Sequence, residues 1–143
     1  IVLKGAMATA VAGTATGAAG AAGTDGAAGD KALFKALYLV KRKPGMSFED
    51  FRRHQVEVHM PLAHALPGLR YYVLDFYPPI DGEDQPFDGA AAVYFDDKAA
   101  HDAALASPEG QKALADLPTY QDMNAFMGLF GEAVFDGPIG EEA

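Results

Sequence analysis

Apolar residues recur with a period of two in four stretches of the chain and with a helical period in two of the three regions between them. Alternation of apolar and polar residues is typical of a strand, and recurrence at every third or fourth position is typical of a helix. The predicted strands cover residues 33–42, 70–77, 90–95 and 124–135. The predicted helices cover residues 47–69 and 96–117, and the second helix restarts at Ser107-Pro108, where serine can cap and proline can occupy the first helical position.

This order, β-α-β-β-α-β, predicts an α+β protein with a ferredoxin-like fold, in which both helices cover one side of a four-stranded antiparallel sheet. The second strand offers large residues to both faces, because Tyr72 and Leu74 alternate with Tyr71 and Val73. An apolar sheet face of that size is rarely left exposed on a monomer. We therefore expect two copies to pack face to face as a homodimer, in a dimeric α/β barrel.

Two polar residues, Gln55 and His59, lie one turn apart within the apolar stripe of the first helix. At about 100° per residue, the apolar members of that stripe are Phe48, Phe51, Val58, Leu62, Ala65 and Leu66. A buried amide or imidazole without a partner costs about 1–3 kcal/mol. The protein therefore either satisfies both groups internally or places them beside a cavity for a polar ligand. Pro61 cannot donate a backbone hydrogen bond, so the helix should kink or loosen beside His59.

Composition limits the kind of partner. The 143 residues carry a formal charge of −9 with no cysteine, which argues against binding to nucleic acid or anionic membranes and excludes thiolate chemistry. No apolar run is long enough to span a membrane, and a cytoplasmic location is the default expectation. Residues 1–30 are rich in Ala, Gly and Thr and predict a flexible extension whose first residues are vector-derived, ahead of a folded domain at 31–136 and an acidic tail at 137–143.

The histidines do not predict a metal site. His54, His59 and His64 are spaced by five residues, which turns each about 140° from the last on a regular helix. Ligands on one helix instead need a spacing of three or four. His101 lies beside Asp102 in the second helix and is expected at the surface.

The run LYLVKRKPGMSFEDFRRHQVEVHMPLAHALPGLRYYV, with ALASPEGQKALAD further along, resembles the EthD family of small dimeric α/β-barrel proteins. The resemblance implies that His59, before Pro-Leu, is the catalytic or ligand-contacting residue and that Tyr72 lies close to it. It also implies ether, lactone or aromatic polyketide chemistry without metal or organic cofactor. The sequence departs from the family pattern at Gln55, Met60 and Tyr94, which predicts a more polar helix wall.

These residues are compatible with three functions. Burial should keep the His59 imidazole neutral, which suits a base that removes a proton beside a carbonyl or from a phenol, with Tyr72 and Gln55 donating to the oxygen. We therefore expect a cofactor-free lyase or isomerase. The alternatives are a cofactor-free monooxygenase and a non-catalytic protein that binds a hydrophobic small molecule. Further candidates for ligand contact are Asp75, which could instead pair with Arg70, and the aromatic residues Tyr94 and Phe126, which could instead serve the core or an interface.

Overall fold

The computed structural model describes residues 32–137. The predicted extension at 1–30 and all but the first residue of the predicted acidic tail lie outside the described residues. Within the described part of the chain, every predicted strand and helix is present. The strands are β1 Ala32–Val40, β2 Tyr71–Phe76, β3 Gly89–Phe95 and β4 Met127–Val134.

The first helix, α1, has three consecutive parts: α-helical Phe48–His54, a π-helical turn Gln55–His59 and α-helical Met60–His64. Helix α2 is Lys98–Ala106 and helix α3 is Pro108–Tyr120. Each of the three helices begins with a side-chain cap, since Ser47, Asp97 and Ser107 each accept a backbone N–H three residues later. The cap at Ser107 was predicted. Helix α3 continues through Pro118 and is three residues longer than the sequence predicted.

The four strands form one antiparallel sheet in the order β2-β3-β1-β4. The three helices pack on one face, where Ala36, Val40, Phe51, Phe95 and Tyr120 are among the buried side chains. This arrangement confirms the predicted ferredoxin-like α+β fold.

The other sheet face carries no helix in the described part of the chain. It presents Tyr71 and Val73 on β2 and Met127 and Leu129 on β4, each about half exposed. Leu37 and Leu39 of β1 lie between them, since they pair with Leu129 and Met127. We refer to this apolar surface, Leu37, Leu39, Tyr71, Val73, Met127 and Leu129, as the open sheet face.

The stripe predicted for the long helix is only partly correct from the π-helical turn onward, where Leu66 is buried as predicted but other members are not. Phe51 is buried as expected, but Val58 is exposed, and Ala63 is buried in place of Leu62. A π-helical turn places more residues in one turn than an α-helix does. The constant rotation of 100° per residue therefore gives the wrong face for some residues after Gln55. Among the described residues, no helix is long and apolar enough to cross a membrane.

Candidate functional site

A cavity lies between the sheet and the helices, above the middle of strand β3. Ala91 and Val93 form its floor, flanked by Tyr38 on β1 and Tyr72 on β2. Because β3 lies between these two strands, the tyrosines rise on either side of a groove about 10 Å across, or two strand spacings. The space open to the centres of water-sized molecules is about 60 Å³, several times the roughly 10–15 Å³ that one bound water needs. The cavity can therefore admit more than an isolated water molecule.

The helix wall of this cavity is the π-helical turn Gln55–His59 of α1. Its backbone closes with the N–H of Met60 donating to the carbonyl of Gln55, five residues back. The turn ends just before Pro61, which has no N–H to continue the regular pattern. The predicted loosening of the helix beside His59 is therefore confirmed, and it takes the form of a wider turn.

The wider turn brings two histidines to the same carboxylate. The His59 Nδ1 atom lies 3.0 Å from Asp116 Oδ2, and His54 Nε2 lies 3.0 Å from both carboxylate oxygens. The expectation that His54, His59 and His64 occupy three different faces is thus wrong for the first two, because it assumed a regular α-helix. His64 is exposed.

Asp116 also fixes which nitrogen of His59 carries a proton. A carboxylate can only accept, so the proton lies on Nδ1 and the Nε2 lone pair is unprotonated. Burial lowers the pKa of His59 below 6.5 and outweighs the opposing effect of Asp116. Burial also tends to raise the pKa of Asp116, but hydrogen bonds from the two histidines hold it below 3.8. At neutral pH the site therefore holds a neutral imidazole backed by a carboxylate, which is the arrangement that a general base requires.

Gln55 is buried, as its position predicted, and both ends of its amide group are hydrogen-bonded within the protein. Its Nε2 donates to the Tyr72 hydroxyl at 3.3 Å, and its Oε1 accepts from the Tyr120 hydroxyl at 2.6 Å. Gln121 Nε2 in turn donates to Tyr120 at 3.0 Å. Burial raises the pKa of Tyr72 to about 12, so its hydroxyl keeps its proton and serves as a hydrogen-bond donor near neutral pH.

A second histidine site was missed by sequence reasoning. His101 is buried, and the expectation of a surface position is wrong. Its Nδ1 lies 2.9 Å from Asp102 Oδ1 and its Nε2 lies 2.8 Å from the Tyr38 hydroxyl, which lines the cavity. The ring is enclosed by the aromatic side chains of Phe34, Phe95 and Phe130. The neighbouring acidic residues suggested solvent, whereas the enclosing rings come from three different strands and leave no local sequence signal.

The structure brings four of the six predicted site residues together at the cavity, namely Gln55, His59, Tyr72 and Phe126. Phe126 stacks on Tyr38 with ring centroids 5.5 Å apart. Asp75 and Tyr94 do not line the cavity, since strand alternation turns both to the sheet face opposite the helices. There Asp75 is exposed, and Tyr94 packs against Tyr71. Across residues 32–137, no group of three or more His, Asp or Glu side chains is placed to hold a metal ion.

Comparison with known proteins agrees with this fold. The EthD domain profile matches residues 43–127, which include the π-helical turn, Tyr72 and Asp116. A curated relative, described as an uncharacterized 11.0 kDa protein in the thcB-thcC intergenic region of Rhodococcus erythropolis, is 33% identical over 70 residues. That alignment covers 49% of this chain and 68% of the relative.

Solved structures share the fold at low sequence identity. An ethyl tert-butyl ether D (EthD) family protein from Bacillus halodurans has a TM-score of 0.59 at 21% identity, covering 69% of this chain and 96% of that one. HapK from Hahella chejuensis has a TM-score of 0.58 at 13% identity, covering 76% and 99%. A dimeric ferredoxin-like protein from Thermobifida fusca has a TM-score of 0.54 at 14% identity, covering 73% and 92%. The profile match over more than half of the chain, together with the curated relative, shows that this protein belongs to the EthD domain family.

Proposed function

We propose that this protein is a small-molecule enzyme that transfers a proton with its own side chains, as an acid/base lyase or isomerase acting on a cyclic or aromatic carbonyl compound. The observation that carries the proposal is the His59–Asp116 pair at the wall of a mainly apolar cavity. In such a place the imidazole stays neutral at physiological pH, with Nε2 able to accept a proton, and it is shielded from water.

The proposed step begins when His59 Nε2 removes a proton from the carbon next to the carbonyl group. The electron pair of the broken C–H bond moves toward the carbonyl oxygen, which becomes an enolate. Tyr72 donates its hydroxyl proton in a hydrogen bond to that oxygen, and Asp116 stabilises the imidazolium that forms. Return of the proton to a different carbon completes an isomerisation, with no cofactor consumed. Gln55 supports the step by holding Tyr72, and Phe126 contributes apolar contact to the ligand.

The proposal can be tested before the natural substrate is known. Exchange of the α-protons of 2-tetralone with D₂O, followed by ¹H NMR, reports the proton removal alone. We expect the wild-type chain to accelerate exchange and His59→Gln to lose about 10²–10⁴-fold of that acceleration, the usual contribution of a general base. Glu57→Gln changes an exposed side chain of the same π-helical turn and should retain the wild-type rate. Equal rates for all three chains, or no acceleration by the wild type, would contradict the proposal.

A binding role is the second candidate, because most of the cavity lining is apolar, as in sites that hold hydrophobic ligands. It predicts that ligands bind without exchange or product and that His59→Gln leaves affinity unchanged. The third candidate function is a cofactor-free monooxygenase, which would consume oxygen in the presence of an electron-rich phenol. These readouts separate the three functions.

We also propose that the protein works as a homodimer through the open sheet face. Several structural relatives are described as dimeric ferredoxin-like proteins, and about half of each Leu129 and Tyr71 side chain is exposed on this face. Leu129→Glu should convert the dimer to monomer in sedimentation analysis, because it would bury an unpaired charge. Val58→Glu, at an exposed apolar position on helix α1, is the matched control and should leave the dimer intact. A wild-type monomer, or an unaffected Leu129→Glu dimer, would contradict this mode of assembly.

A further inference from the structure

One buried polar atom beside the cavity has no hydrogen-bond partner in the described part of the chain. It is Oε1 of Gln121, a cavity-lining residue with 4% of its surface exposed. Buried side-chain oxygens in folded proteins are nearly always paired with protein, water or ligand. An unpaired acceptor on a cavity-lining residue indicates that a donor group belongs beside it, and a rotation of the Gln121 side chain would bring the enclosed Oε1 atom to such a donor.

Gln121 is one end of a row of four hydrogen-bonded side chains, Gln121, Tyr120, Gln55 and Tyr72, which we call the polar chain. Tyr120 has a single hydroxyl proton and donates it to Gln55 Oε1. Its oxygen must then accept from Gln121 Nε2, which leaves Gln121 Oε1 unpaired. At the other end, Tyr72 accepts from Gln55 Nε2, so the hydroxyl proton of Tyr72 remains available to a ligand.

The two ends of the polar chain consequently differ in character. In the observed direction, Tyr72 offers a donor and Gln121 offers an acceptor, and both residues line the same cavity. Rotating both amide groups reverses every hydrogen bond, so that Tyr72 offers an acceptor and Gln121 offers a donor. In either direction, a ligand that satisfies both ends must carry one acceptor and one donor.

We infer that the cavity binds an apolar, ring-sized molecule that carries a carbonyl acceptor and, at a separate position, a hydroxyl or N–H donor. The carbonyl lies at Tyr72 and the donor lies at Gln121. This inference deepens the proposed function, on which it rests for the contact between Tyr72 and the carbonyl oxygen. It adds a requirement that base catalysis alone does not impose, namely a second polar group on the substrate.

Matched probes test this requirement on the wild-type chain. Ethylbenzene carries neither polar group, acetophenone carries the acceptor, 3- and 4-ethylphenol carry the donor, and 3- and 4-hydroxyacetophenone carry both. We expect calorimetric titration to show at least one hydroxyacetophenone binding about 10- to 100-fold more tightly than acetophenone, as one buried hydrogen bond can provide. If the hydroxyl group adds no affinity in either isomer, or if no probe binds, the inference is overturned. A water molecule that satisfies Gln121 would give the first of these results.

Variants then locate the effect. Gln121→Met keeps the length of the side chain but removes its acceptor, and it should abolish the advantage of hydroxyacetophenone while leaving acetophenone binding unchanged. Gln111→Met, the same substitution at an exposed glutamine of helix α3, should retain the advantage. An advantage that survives in Gln121→Met would place the donor elsewhere and contradict the inference. The probe comparison on the wild type holds even if Gln121→Met fails to fold.

The readout is equilibrium binding, so it is separate from the test of catalysis. His59→Gln should lose proton exchange yet keep the advantage of the hydroxylated probe. If His59→Gln loses proton exchange but the wild type binds the hydroxylated probes no more tightly than acetophenone, only the inference about the second polar group is contradicted. If the wild type binds a hydroxylated probe more tightly than acetophenone but does not accelerate proton exchange, only the proposed reaction is contradicted.

Discussion

Replacing Asp116 by Asn tests how the candidate base is held. The carboxylate accepts hydrogen bonds from His54, His59 and the Thr119 hydroxyl. An amide keeps one acceptor oxygen but turns the other position into a donor, so at least one contact with a histidine must break or reverse. A hydrogen bond to a charged group contributes about 1.5–3 kcal/mol. The free energy of unfolding should therefore fall by about that amount, which corresponds to a decrease in Tm of roughly 6–15 °C for a domain of this size.

The same substitution should reverse the protonation of His59. When the amide introduced by Asp116→Asn donates to Nδ1, the proton of the neutral ring moves to Nε2, and the lone pair proposed to accept the substrate proton is lost. By analogy with histidine–aspartate pairs, the loss in exchange rate should reach about 10⁴-fold. Long-range ¹H–¹⁵N NMR identifies the protonated nitrogen, and urea unfolding gives the stability. Asp96→Asn, at an exposed ion pair with Arg70, should change stability by less than about 0.5 kcal/mol. Wild-type stability together with a proton still on Nδ1 in Asp116→Asn would refute this reasoning.

Three further predictions concern stability. The pKa values of His59 and His101 are lowered from 6.5 by burial, so the unfolded chain binds protons first as pH falls. The free energy of unfolding measured in urea should accordingly decrease below about pH 6.5, and a flat profile would contradict this. Tyr38→Phe removes the hydroxyl that faces His101 Nε2 and should cost about 1–3 kcal/mol in urea unfolding; a neutral effect would contradict the contact. A Cβ atom on Gly110 would collide with the backbone carbonyl oxygen of Ala104 in α2, so Gly110→Ala should lower the Tm by several degrees. Gly131→Ala, with nothing within 4 Å of its added Cβ atom, should be nearly neutral, and equal Tm values for the two variants would contradict the packing.

The fold was predictable because its signals are local. Alternation in β1 and the serine caps at Ser47 and Ser107 lie within a few residues of what they determine. The inward direction of Gln55 and His59 was also predictable, since both follow Phe51 at intervals of four residues and such intervals remain on one side of the helix through the wider turn.

The rest of the site depends on contacts between distant parts of the chain. Asp116 lies 57 positions after His59, and nothing near it in sequence marks it as the partner of two histidines. The burial of His101 follows from rings on three strands, and its contact with Tyr38 spans 63 positions. The predicted direction of the His54 side chain was wrong for a different reason. Pro61 indicated an irregular helix but did not specify that a π-helical turn would form.

The central claim is that a desolvated, neutral histidine removes a proton inside the cavity. The pH dependence of 2-tetralone exchange by the wild-type chain, corrected for the rate in buffer, tests this claim most directly. We predict that the enzymatic rate follows one ionisation with an apparent pKa below the ordinary histidine value of 6.5, falling tenfold per pH unit on its acidic side. A rate that is independent of pH between 4 and 8, or one that falls only above pH 7, would contradict the assignment of His59 as the base.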